Sequence, residues 1–169
     1  MNIRFSLNGV AASIDAEPGE RLSAILRDRF HLKGTKCGCL QGRCGTCSVI
    51  WNGAVTASCL IPAFRLSGTK IITIEGFVKT NNFQDIRTGF AQVPVISCGY
   101  CDSAKILTAE SLLVKNSELD REEILSAFAG IRCTCTNPDA LVEGVLAAAR
   151  ERKASIERKA RTSHNAHKR

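Results

Sequence analysis

Apolar and polar residues alternate from Asn2 to Leu7 and again from Val10 to Asp15, with Asn8-Gly9 between the two runs. A period of two describes a strand with one buried face, and Asn-Gly is a preferred pair for a two-residue hairpin turn. The opening segment therefore predicts a β-hairpin. Pro18-Gly19 breaks the pattern. From Arg21 to Phe30 the apolar positions Leu22, Ile25, Leu26 and Phe30 fall at helical spacing. Ser48 to Trp51 predicts a short strand turned by Asn52-Gly53, and the β-branched run Lys70 to Ile74 a further strand that closes at Gly76.

Beyond that point the period becomes helical. Phe83 to Gln92 predicts one helix. Cys101 to Lys115 predicts another, with Ile106, Leu107, Leu112 and Leu113 on its apolar side. Asp120-Arg121-Glu122-Glu123 has the form of a capping box for a helix running to about Ala129. Asn137-Pro138 combines an N-cap residue with proline at the first helical position, and the helix that follows carries Leu141, Val142, Val145 and Leu146. The change of period lies within GFVKTNN, Gly76 to Asn82. The expected organisation is α+β: a strand-rich domain over 1–78, a helical domain over 83–150 and a basic tail over 151–169. No internal repeat is visible.

Composition sharpens this picture in three ways. The chain has 169 residues with 44% apolar but only 5% aromatic, which suits two small cores with covalent reinforcement better than one large core. The first nine residues, MNIRFSLNG, lack a signal-peptide apolar run, and no stretch approaches the ~20 apolar residues of a membrane span. The expectation is a cytoplasmic protein. The net charge is +7, of which +6 lies between Arg150 and Arg169, where eight Lys or Arg meet two Glu. The body is nearly neutral, so the charge does not call for nucleic acid. The basic segment reads as helical at first and then as a solvated, structureless tail; docking on an acidic partner is its other use.

Nine cysteines in a reducing compartment point to metal or redox chemistry rather than disulfides. Eight of them divide into two sets. The first is Cys39-x4-Cys44-x2-Cys47-x11-Cys59, the plant-type [2Fe–2S] spacing. A thiolate-bound binuclear cluster is anionic and needs backbone N–H groups aimed at its sulfurs. Gly38, Gly42 and Gly45 let the loop wrap in that way. Three ligands in one loop suit zinc poorly, since zinc sites pair their cysteines in two short, separated spacings. The three histidines, His31, His164 and His167, stand away from the loop, which argues against a Rieske centre. The second set is Cys98-x2-Cys101-x31-Cys133-x1-Cys135. Its spacing alone leaves a four-cysteine zinc site and a cluster both open. Its position at two predicted helix N-termini favours an anionic group, and Gly99 keeps that loop narrow.

The string KCGCLQGRCGTCSV…SCL, followed by SCGYC…AGIRCTCT, resembles the small iron–sulfur subunits of the xanthine dehydrogenase family of molybdenum hydroxylases. The likeness runs from about Asn2 to Ala149 and meets all eight ligand positions in order. It implies an N-terminal ferredoxin-like β-grasp domain and a C-terminal four-helix domain. It assigns Cys39, Cys44, Cys47 and Cys59 to a cluster nearer the flavin, and Cys98, Cys101, Cys133 and Cys135 to a buried cluster nearer the molybdenum cofactor. It also implies a molybdopterin-binding large subunit and an FAD-binding medium subunit as partners. Cys37 belongs to neither set and is expected to be a spare thiol.

The chain departs from the family pattern at Ser97, where a pterin-contacting Gln is usual, and at Asp102-Ser103-Ala104, Thr134 and Asn137-Pro138. No ligand changes, so the departures bear on the pterin-facing surface, where Ser97 is the candidate contact. Lys36, Arg43 and Arg132 flank the loops and read as ordinary surface charge. No catalytic triad or phosphate loop accompanies them. The expected chemistry is one-electron transfer inside an oxidoreductase complex. A free ferredoxin-like carrier is the alternative, and a zinc-stabilised binding module a third. A brown colour with two rhombic EPR signals on reduction excludes zinc, and co-purification with partner subunits separates the first two.

Overall fold

The computed structural model describes residues 1–95, 97–116 and 118–166, with side chains through residue 161. Strands β1 (Asn2–Leu7) and β2 (Val10–Asp15) form the expected hairpin, with Asn2 opposite Asp15 and Leu7 opposite Val10. Asn8 and Gly9 carry φ of 53° and 83°, the left-handed pair that a type I′ turn requires. The same solution recurs at Asn52 and Gly53, between β3 (Ser48–Trp51) and β4 (Ala54–Ala57). Strand β5 (Lys70–Ile72) lies between β1, to which it is parallel, and β3, giving the order β2-β1-β5-β3-β4. Ile3, Phe5 and Leu7 alternate inward from β1. They meet Leu22, Ile25, Leu26, Val49 and Ile71 in the first core.

Helix α1 opens at Leu22–Ala24 and passes into a π-helical turn over Ile25–Arg29, a local widening that the apolar period does not reveal. The strand expected over Lys70 to Ile74 is shorter than its composition suggests. Only Lys70–Ile72 is strand, and Ile74–Phe77 forms a short helix, α2. Asn8 Oδ1 accepts the Thr73 N–H at 2.8 Å, so a side chain takes over the donor that another ladder bond would have used.

The helical half contains α3 (Asn81–Ala91), α4 (Asp102–Lys115), α5 (Arg121–Phe128) and α6 (Pro138–Ala166). Thr80 caps α3 by accepting the Phe83 N–H, and Asp120 with Glu123 forms a complete capping box at α5. The Asn137 side chain accepts the Asp139 N–H at the start of α6. Helices α3 and α6 pack so closely that a Cβ on Gly89 would lie 2.2 Å from the Ala148 backbone nitrogen. A second core joins Ile86, Leu107, Ile124, Phe128 and Val145, and it takes in Ile50 from β3, so the helices pack directly on the sheet.

Helix α6 runs on past residue 150 into the basic segment, whose first part was expected to be helical. It continues to Ala166, and Arg152 ties it to the body through buried partners on two other helices. Its guanidinium reaches Asp85 of α3 and Glu110 of α4, both at 2.7 Å, and the Asn82 carbonyl at 3.0 Å. The side-chain ends of His164 and His167 fall outside the described side chains. Among the described residues, no helix is long and apolar enough to cross a membrane.

Candidate metal centres

The first cysteine loop spans 36–47, between α1 and β3, and its fourth member follows β4. Ser58 binds the Cys47 carbonyl through its hydroxyl at 2.7 Å and its N–H at 3.2 Å, which brings Cys59 back beside Cys47. The N–H groups of Gln41, Arg43 and Cys44 point at Cys39 Sγ over 3.2–3.3 Å. The Cys39 N–H points at Cys44 Sγ, and the Gly42 N–H at Cys59 Sγ, each at 3.3 Å. Such a ring of amides is a nest for anionic sulfur. The Gln41 N–H, with those of Cys44 and Arg43, brings the Cys39 thiol down to about 6, whereas burial pushes Cys59 up to about 11.

The loop's glycines are sterically required. Gly42 and Gly45 have φ of 73° and 71°. A Cβ on Gly38 would stand 2.8 Å from Cys44 Sγ, and one on Gly45 would stand 2.3 Å from the Gly130 carbonyl oxygen.

The second set is assembled from the 97–101 loop and from the 132–136 connection between α5 and α6. Gly99 turns the first of these with a φ of 86°. Cys101 is the N-cap residue of α4. The Tyr100 N–H is the main cause that lowers the Cys98 thiol, while the Cys98 side chain raises that of Cys135. Burial raises Cys101 to about 11. Burial also works against ionisation of Cys133, but the Cys135 N–H, the Thr136 hydroxyl and N–H, and the Lys105 charge together bring it down to about 7. Cys98 and Cys135 are exposed in this chain, so any deep burial of this set has to come from another subunit. Ser97 is half-buried: its hydroxyl bonds the Asp102 carboxylate and accepts the Gly99 N–H.

The two sets touch. The Arg132 N–H donates to the Cys44 carbonyl at 3.1 Å, and the Tyr100 hydroxyl donates to the Cys37 carbonyl at 2.8 Å. Cys37 thus joins the loops through its backbone carbonyl. The Arg43 side chain turns back on Gln41, and the Arg132 side chain is exposed. Sequence reasoning missed Lys105, which is buried on the floor of the second set. The signal was present: Lys105 follows Cys101 by four residues, so both lie on one face of the same helix.

The donor sets fit binuclear clusters. All nine cysteines are free thiols. Within each set the thiols lie close enough to influence one another's ionisation, Cys39 with Cys44 and Cys59, Cys47 with Cys59, Cys98 with Cys133 and Cys135, and Cys101 with Cys133 and Cys98. Four such thiols would hold a binuclear cluster, which would supply a one-electron couple.

Comparison with known proteins agrees. Residues 5–69 match the family described as "2Fe-2S iron-sulfur cluster binding domain", and residues 73–146 the family described as "[2Fe-2S] binding domain". The chain is 40% identical over 136 residues to the nicotinate dehydrogenase small FeS subunit of Eubacterium barkeri, covering 80% of this chain and 87% of that one. It is 33% identical over 148 residues to the xanthine dehydrogenase iron-sulfur-binding subunit of Escherichia coli O157:H7, covering 86% and 92%. Among solved structures it superposes on a chain of quinoline 2-oxidoreductase from Pseudomonas putida 86 with a TM-score of 0.79 and 32% identity, covering 90% of this chain and 96% of that one. With two [2Fe-2S]-binding domains in tandem, this chain belongs to the small iron–sulfur, electron-transfer subunits of the xanthine dehydrogenase-type oxidoreductases.

Proposed function

We propose that this subunit relays single electrons from a molybdopterin-binding large subunit to an FAD-binding medium subunit, within a cytoplasmic complex that hydroxylates an N-heterocycle or aldehyde. Cys39, Cys44, Cys47 and Cys59 are the ligands of the first cluster, and Cys98, Cys101, Cys133 and Cys135 those of the second. Each bound [2Fe–2S] group supplies a one-electron couple. The chain's own residues hold it, donate hydrogen bonds to its sulfurs and limit its contact with water.

The observation that carries this reading is the Cys44 carbonyl bonded to the Arg132 N–H. Arg132 precedes Cys133 directly, so one hydrogen bond closes a short covalent path between ligands of the two sets. A short path of this kind suits a relay between two neighbours. An open second set suits docking against a partner, because Cys98 and Cys135 face outward. Ser97 borders that opening, and any contact it makes with a pterin is made with its hydroxyl already shared with Asp102 and Gly99.

The test is affinity purification of the tagged chain from its native host, with metal, sulfide and flavin analysis and EPR of the reduced sample. Molybdenum- and flavin-containing partners with two distinct rhombic signals are expected. A chain that elutes alone, with zinc and no sulfide, overturns the proposal.

A further inference from the structure

Lys105 is a basic side chain buried where a charge is costly. It lies one turn into α4, its N–H bonded to the Cys101 carbonyl at 3.0 Å, and its side chain is only 3% exposed. A buried charge persists only where opposite charge and hydrogen bonds compensate it. The Lys105 Nζ donates to Thr136 Oγ1 at 2.5 Å. Among the described residues its carboxylate partner is Asp102, a side chain 41% exposed, whose Oδ1 stands 3.6 Å away and is shared with the Ser97 hydroxyl. That is a loose partner for an ammonium this deeply enclosed. On its inner side Lys105 borders a cavity of about 180 Å³ lined by Cys133, Thr136, Leu125, Phe128 and Leu141, with no acidic residue in the lining.

Sulfur lies close by as well. Thr136 Oγ1, which accepts from Lys105, stands 3.8 Å from Cys133 Sγ. We propose that Lys105 is the built-in counter-ion of the second [2Fe–2S] centre, held against its Cys101–Cys133 side through Thr136, and that it raises the reduction potential of that centre. Reduction adds one electron, and with it one negative charge, without breaking a bond. A fixed positive charge in a water-poor site stabilises the reduced form more than the oxidised one. Lys105 acts through the ligands, so it is a positioning and tuning residue. The inference rests on the assignment of the second cysteine set to a cluster.

The experiment is an anaerobic dithionite titration of the purified complex followed by EPR, on wild type, Lys105→Met and Lys105→Arg, with iron and sulfide counted in each. The signal of the second centre is identified by its change in Cys135→Ser. Lys105→Met, close in shape but neutral, is expected to shift the reduction equilibrium of that centre at least tenfold toward the oxidised form, ~59 mV for one electron. Lys105→Arg restores it, and the first centre titrates as in wild type in both variants. Loss of the second centre's iron in Lys105→Met, with retention in Lys105→Arg, also supports the counter-ion role. Coincident titrations of wild type and Lys105→Met overturn it, as does loss of that iron in both variants, which makes Lys105 a packing residue. If wild type itself holds a single cluster, the assignment of the second set fails, a result that iron analysis separates from the other outcomes.

Discussion

The Cys44 carbonyl accepts the Arg132 N–H at 3.1 Å, so the loop that carries the first cysteine set is bonded to the residue beside Cys133. The donor belongs to the backbone, and so the Arg132 side chain can change without breaking the link. Arg132→Ala is therefore expected to shift stability by less than about 0.5 kcal/mol. Arg132→Pro removes the N–H and costs at least ~1 kcal/mol. Rapid-freeze EPR after mixing with substrate is expected to show slower reduction of the first centre in the proline variant alone.

Gly45 faces the other half of the molecule. Its Cβ would meet the Gly130 oxygen at 2.3 Å, and its φ is positive. Gly45→Ala is expected to destabilise the chain by about 1–3 kcal/mol through overpacking, with backbone strain adding to it. Thermal melting of the loaded protein measures the first effect. Iron analysis is expected to show the first centre depleted before the second.

Arg152 sits between Asp85 and Glu110, at 2.7 Å from each. Arg152→Met leaves two carboxylates buried without their cation and is expected to cost about 3–5 kcal/mol in denaturant unfolding. Truncation after Ala149 removes the same cation and is expected to do similar damage, whereas truncation after Arg161 leaves it in place.

Thiol reactivity should separate the cysteines once iron is removed and the chain stays folded. A thiol ionises above its pKa, and the thiolate is the form that alkylates. Cys39, at about 6, and Cys133, at about 7, are expected to react with iodoacetamide at pH 7.5, while Cys59 and Cys101, both at about 11, lag behind. Labelling of Cys39 should fade as the pH falls through about 6, and labelling of Cys133 should fade first, near 7. Peptide mapping at stepped pH reads both.

Cys37→Ser is expected to leave both centres and their EPR signals unchanged, because the Cys37 carbonyl, not its thiol, takes the Tyr100 bond. Cys59→Ser is expected to deplete or perturb the first centre only.

Local order was written along the chain. The alternation of Ile3, Phe5 and Leu7, the two Asn-Gly turns, the Asp120–Glu123 capping box and the cysteine spacings each involve groups a few residues apart. Physics acting over such distances, such as side-chain period, allowed φ and capping, can be read without knowing what lies opposite. Strand length could not be read in this way. Val, Ile and Thr favour extended chain, yet a strand lasts only while another backbone pairs with it, and β5 loses its partners after Ile72. Tertiary structure alone decided that Arg152 belongs to the body, because its carboxylates lie 67 and 42 residues away. It alone placed Gly130 against Gly45 and put a buried cation under Cys133. Those outcomes depend on long-range approach in a water-poor interior, where one charge or one missing Cβ counts for more than any local preference.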